Sequence, residues 1–132
     1  MNGAKEILSG NIKISDEVIE TIASVAISSI DGVSGTGSGI VDGITRKFSK
    51  KPSTSGIKAT VGERTTNVDI NIVVKYGVRI PEVAWSVQDA VKKEIELMTG
   101  LTVEKINVRV VEIEIPTDKK DVNTDNTTDI NY

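Results

Sequence analysis

Apolar and polar residues alternate along this chain with two different periods, and the periods assign its elements. Val18, Ile19, Ile22, Val25, Ala26 and Ile30 recur at helical spacing, which predicts an amphipathic helix over about 16–30. Ser15 stands at the N-cap, and Asp16 and Glu17 follow where the macrodipole favours anions. Gly32 supplies the left-handed residue that closes such a helix. Ile57, Ala59 and Val61 alternate with Lys58, Thr60 and Gly62, which is the strand period. Val68, Ile70, Ile72 and Val74 alternate with Asn67, Asp69 and Asn71 in the same way, and the polar stretch 63–66 between the two reads as a hairpin loop.

A second helix follows. Pro81 suits its first turn, because the missing N–H would be unpaired there anyway. Ala84, Val87, Val91, Ile95 and Met98 form its apolar stripe, and Gly100 stops it. A long strand over 102–115 ends at Pro116. Its apolar positions change parity, from Ile106, Val108 and Val110 to Val111, Ile113 and Ile115, so a bulge or a change of partner is expected near Val110 or Val111. Ile12 and Ile14 suggest one further strand over 11–15. The order is then β-α-β-β-α-β. Two helices with one apolar stripe each and a sheet with one apolar face predict an α+β two-layer sandwich. Its four-stranded sheet is mixed or antiparallel, with both helices on one face. Residues 1–9 read as an N-terminal extension, 10–115 as a single domain, and 116–132, rich in Asp, Asn and Thr, as a disordered polar tail.

Composition sharpens this picture. The chain has 132 residues, enough for one domain, and its apolar set holds 18 Ile and 17 Val against 3 Leu. Branching at Cβ favours sheet. There is no Cys and no His. Disulfides, thiolate nucleophiles, imidazole acid–base chemistry and histidine-ligated zinc are therefore excluded. No apolar run is long enough to span a bilayer and no basic-then-apolar leader opens the chain, so a cytoplasmic protein is expected.

The net charge is −3, but it is segregated. From the second half of a long Gly- and Lys-containing loop over 34–56 into the next strand, the stretch 44–58 carries Arg46, Lys47, Lys50, Lys51 and Lys58 with no acid, leaving −8 elsewhere. The cluster Arg46, Lys47, Phe48, Lys50 and Lys51 is a candidate contact for an anionic membrane surface or an acidic partner, against the plainer reading of a solvated loop. Trp85 is the only Trp. It lies about 120° from the centre of its helix's apolar stripe, beside Gln88, Asp89 and Lys92. It is either an interface anchor or a ring folded over the sheet edge.

Other motifs carry less. Gly35-Thr36-Gly37-Ser38-Gly39 follows a helix instead of a strand, so it reads as linker and not as a phosphate loop. Asp121, Asn123, Asp125 and Asp129 have calcium-loop spacing, but Asn126 and Tyr132 occupy the positions that need Gly and Glu. Glu112 and Glu114 alternate on one strand face, the usual place for solvated acids. No catalytic, cofactor-binding or metal-ligating residue is assigned. The sequence favours a non-enzymatic interaction module, with an open sheet edge as one means of self-association. A small nucleic-acid-binding module is the alternative, against which stand the negative charge and the lack of a strand-borne aromatic pair.

A resemblance adds to this. The run Tyr76-Gly77-Val78-Arg79-Ile80-Pro81-Glu82-Val83-Ala84, with Val87-Gln88-Asp89-Ala90-Val91, Met98-Thr99-Gly100-Leu101 and Ile106-Asn107-Val108, resembles the alkaline-shock/Gls general-stress family of Gram-positive bacteria. Gly10-Asn11-Ile12-Lys13-Ile14-Ser15, Ile30-Asp31-Gly32-Val33 and Gly56-Ile57-Lys58 fit as well, so the likeness covers about residues 10–113. It implies a cell-envelope stress response protein, self-associating and held at the inner face of the membrane by a separate anchor protein. It brings no catalytic residues and no cofactor.

Overall fold

The computed structural model describes residues 9–37 and 53–116. They form helix α1 (Asp16–Ser28), strands β1 (Val33–Thr36), β2 (Ile57–Val61) and β3 (Thr65–Lys75), helix α2 (Ile80–Thr99) and strand β4 (Thr102–Glu114). The basic cluster Arg46, Lys47, Phe48, Lys50 and Lys51 and the polar tail beyond 116 lie outside the described residues, as do residues 1–8.

The local signals act as their chemistry requires. The Ser15 side chain accepts a hydrogen bond from the Val18 N–H and caps α1. Pro81 sits in the first turn of α2, and Gly100, at φ +77°, closes that helix in the left-handed conformation. Gly77, at φ +100°, turns the chain between β3 and α2.

The sheet is mixed. β3 pairs antiparallel with β1 and β2 along one edge and parallel with β4 along the other. β1 meets Ile72–Val74 and β2 meets Thr66–Ile70, so the two short strands lie end to end and make one interrupted strand. The interruption is spliced at Asn71. Its carbonyl accepts from the Gly37 N–H at 3.0 Å, and its N–H donates to the Gly56 carbonyl at 2.8 Å. Both ends of the inserted segment are thereby pinned opposite one residue of the central strand.

This geometry corrects the expected first strand. Residues 11–15 form no strand, and Ile12 is 95% exposed. The edge of β2 is closed to them, because the outward N–H groups of Ala59 and Val61 donate to the Glu20 and Asp16 carboxylates of α1 at 2.9 and 3.0 Å. Side-chain acceptors on an edge remove the ladder that another strand would need. The fourth strand is instead β1, cut from the start of what reads as loop 34–56. The element order is therefore α-β-β-β-α-β within the expected two-layer α+β architecture.

The core lies between the helices and one sheet face. Ile19, Ile22, Ala23 and Ile27 of α1, Val83, Val87, Val91 and Ile95 of α2, and Val68, Ile70, Ile72 and Val74 of β3 are its centre. Two expected stripes shift. In α1, Ala23 and Ile27 are buried while Val18 and Val25 are about half exposed. In α2, Val83 takes the place expected for Ala84, and Met98 lies in solvent. The buried α2 residues are spaced by four throughout. A row of that spacing drifts about 40° per step, so it follows the twisted strands beneath it where a fixed stripe would leave them.

The bulge expected near Val110 or Val111 is present. Ile72 pairs with Val110 and Val73 with Glu112, so Val111 has no partner in the ladder. A second shift near the strand's start passes over Glu104. Val103, Ile106, Val108, Val110 and Ile113 thus share one face with the core residues of β3.

Candidate functional site

The described residues bring no cluster of three or more Asp and Glu side chains to metal-binding distance. What the fold does present is an edge. Among the described residues, β4 is the outermost strand on its side, paired only with β3. Its first turns are closed by α2. The Glu96 carboxylate accepts from the Val103 N–H at 2.9 Å, and the Gln88 side-chain amide donates to the Ile106 carbonyl at 2.9 Å. Beyond Ile106, among the described residues, no hydrogen bond reaches the outward backbone groups of β4. Alternation from Ile106 places the N–H and C=O of Val108 and Val110 on the open side, and across the bulge those of Ile113. The inward direction of Glu114 fits, since its carbonyl accepts from the Tyr76 N–H.

The open edge is flanked by apolar surface. Val111, Ile113 and Ile115 are each between 42% and 44% exposed. Trp85 is 63% exposed and lines a groove with Gln88, Lys92, Val103 and Ile106, between α2 and the start of the edge. Its ring lies beside the sheet edge and is open to solvent. On the sheet face away from the helices stand Asn107, Arg109, Glu112 and Glu114, opposite Asp69, Asn71, Val73 and Lys75 of β3. Asn107 donates to the Asp69 carboxylate at 2.7 Å, and the Ser34 hydroxyl donates to Glu114 at 2.5 Å.

Glu96 has its pKa held below the ordinary carboxylate value. The Lys92 ammonium, 2.7 Å away, is the first cause, and the Val103 N–H is the second; partial desolvation opposes both. A depressed folded value means stability that is present above the ordinary carboxylate pKa and is lost as pH falls through the lower, folded one. Glu96→Gln is therefore expected to lower the neutral plateau slightly and leave the acid end unchanged, so that the acid limb of a stability–pH curve is flattened. Urea midpoints between about pH 2 and 7 would read this, and an unaltered acid limb would exclude Glu96 as a contributor.

Comparison with known proteins places this geometry. The ASP23 family, described by a cell envelope-related function, matches residues 4–115. The chain belongs to the ASP23 family. It is 34% identical over 116 residues to the protein YqhY of Bacillus subtilis, covering 88% of this chain and 86% of that one. It is 32% identical over 116 residues to a stress response regulator gls24 homolog of Streptococcus pyogenes, covering 85% of this chain. It spans 65% of that streptococcal protein's length. A second S. pyogenes protein, Spy1614, is 33% identical over 108 residues, which is 80% of this chain and 89% of the relative. The resemblance read from the Tyr76–Ala84 run and its companions is thus shown, and the ASP23-family assignment covers every described element.

Of the six candidate contact residues only Trp85 is among the described ones. The outer edge of β4 was foreseen only as an unassigned open edge, because alternation reveals a strand's two faces and not its neighbours. Among the described residues no helix is long and apolar enough to cross a membrane.

Proposed function

We propose that this ASP23-family protein is a non-enzymatic interaction module of the envelope stress response. It is held at the inner membrane face by an anchor protein and by the basic segment, and it associates with itself. One observation carries the reading: the unpaired outer edge of β4, bordered by Trp85 and exposed Ile and Val side chains. Backbone donors and acceptors beside apolar side chains are the chemistry of strand-to-strand recognition. The acids next to them, Glu112 and Glu114, are exposed.

The attachment points of the basic segment support a division of labour. Its ends, at Gly37 and Gly56, are pinned on the β1–β2 side of the sheet, across β3 from the open edge. Basic residues near an anionic bilayer contribute about 1 kcal/mol each. Flotation of the full chain with vesicles of anionic or zwitterionic lipid tests this. Binding should favour the anionic vesicles, weaken with salt, and fall at least roughly tenfold when Arg46, Lys47, Lys50 and Lys51 are all changed to Ser. Equal retention of the variant, or a salt-dependent shift of a labelled oligonucleotide in place of vesicle binding, would overturn the membrane role.

A further inference from the structure

We infer that the open edge of β4 pairs with the same edge of a second copy, antiparallel across a two-fold axis at Val110 and Val111. The inference rests on the interaction-module reading above and names the partner and the register.

It follows from the bulge. In a regular strand, same-face residues share parity, so a two-fold self-pairing joins residues whose numbers have an even sum. Val111 breaks that rule, because residues before it and after it have opposite parity on the same face. The sequence around it then reads the same in both directions. Ile106-Asn107-Val108-Arg109-Val110 is followed by Val111-Glu112-Ile113-Glu114-Ile115, apolar opposite apolar and polar opposite polar. Antiparallel pairing of two copies sets Val108 against Ile113, Arg109 against Glu112, and Asn107 against Glu114. Each pair occurs twice, and each joins residues on the same face of its sheet.

Hydrogen bonding and charge agree with this register. Val108 and Ile113 are the residues whose backbone groups point outward, so they form the hydrogen-bonded pair. Arg109 and Glu112, both exposed and both on the helix-free face, meet as opposite charges in a cross-strand pair. Beyond the paired span, the register brings Ile115 of the second copy alongside Ile106, next to the groove that Trp85 lines. The half-exposed Ile113 and Ile115 thereby gain cover. The two sheets join into one, with all four helices on the same side.

The chain has no Cys, which permits a direct test. A non-hydrogen-bonded antiparallel pair brings Cα atoms to about 4.5 Å, within disulfide range. The full chain carrying both Asn107→Cys and Glu114→Cys is expected to form a covalent dimer on mild oxidation. A control carrying Asn107→Cys and Glu112→Cys, whose positions fall out of register, is expected to stay largely uncrosslinked. In sedimentation, Arg109→Glu or Glu112→Arg alone should weaken dimerisation by about tenfold, and the double reversal should restore it. A chain monomeric at about 100 µM, equal crosslinking of both cysteine pairs, or failure of the double reversal to recover would overturn this pairing. Circular dichroism of each variant separates lost association from lost folding. Vesicle binding that persists in a monomeric chain would leave the membrane role intact while this interface fell.

Discussion

Replacing Gly56 with alanine is expected to destabilise the protein by about 3 kcal/mol, far more than a glycine substitution in an open turn. A Cβ on Gly56 would lie 2.3 Å from the Gly37 nitrogen and 2.5 Å from its Cα. Both are backbone atoms and cannot swing aside. Both strands are also held to β3 at this point, through Asn71, so separating them breaks two backbone hydrogen bonds. The φ of +83° adds a conformational cost of about 1–2 kcal/mol for any residue with a Cβ. Gly77 provides the control, because it has a similar φ of +100° but nothing within 4 Å of its would-be Cβ. Thermal unfolding should show Gly56→Ala melting roughly 10 °C below the parent and Gly77→Ala only a few degrees below. Equal losses would mean that the two halves of the interrupted strand do not touch at their junction.

Truncating Ile72 to alanine is the second large effect, expected to cost about 3–4 kcal/mol. Ile72 is fully buried on the central strand, where Thr36 flanks it on one side and Val110 on the other. Its side chain lies in the core cluster beneath the helices, so the loss combines transfer free energy with the cavity that a close-packed interior leaves behind. Urea unfolding should show a lower midpoint with little change in slope. A loss below about 1 kcal/mol would show that the helices do not close over this part of the sheet. The same variant separates folding from recognition. It changes no side chain of β4 and leaves that strand's outward backbone groups in place, so its folded fraction should still form the Asn107→Cys, Glu114→Cys crosslink when those changes are added.

Much of this was legible because it is local. Ser15, Pro81 and Gly100 act on backbone groups a few residues away, and they mark the helix ends in the sequence as they do in three dimensions. The parity change in the last strand announced the bulge at Val111, since a residue can change face only by leaving the ladder. Other features depend on distant partners. Ile12 and Ile14 alternate as a strand should, yet Asp16 and Glu20 of α1 occupy the edge of β2, so that ladder is closed to residues 11–15. Val33–Thr36, with two of its neighbours glycine, looked like loop and became a strand because Ile72–Val74 were free to pair with it.

The order of charge, the two periods and the missing His and Cys are properties of the chain read residue by residue, and they set the fold class and the chemistry open to it. Which flank of each helix is buried, which edge is closed by carboxylates and which is left bare depend on groups far apart in sequence. Hydrogen bonds and packing are satisfied by whichever partner arrives in space. Only the assembled structure decides that, among the described residues, β4 is the strand left with an unpaired side.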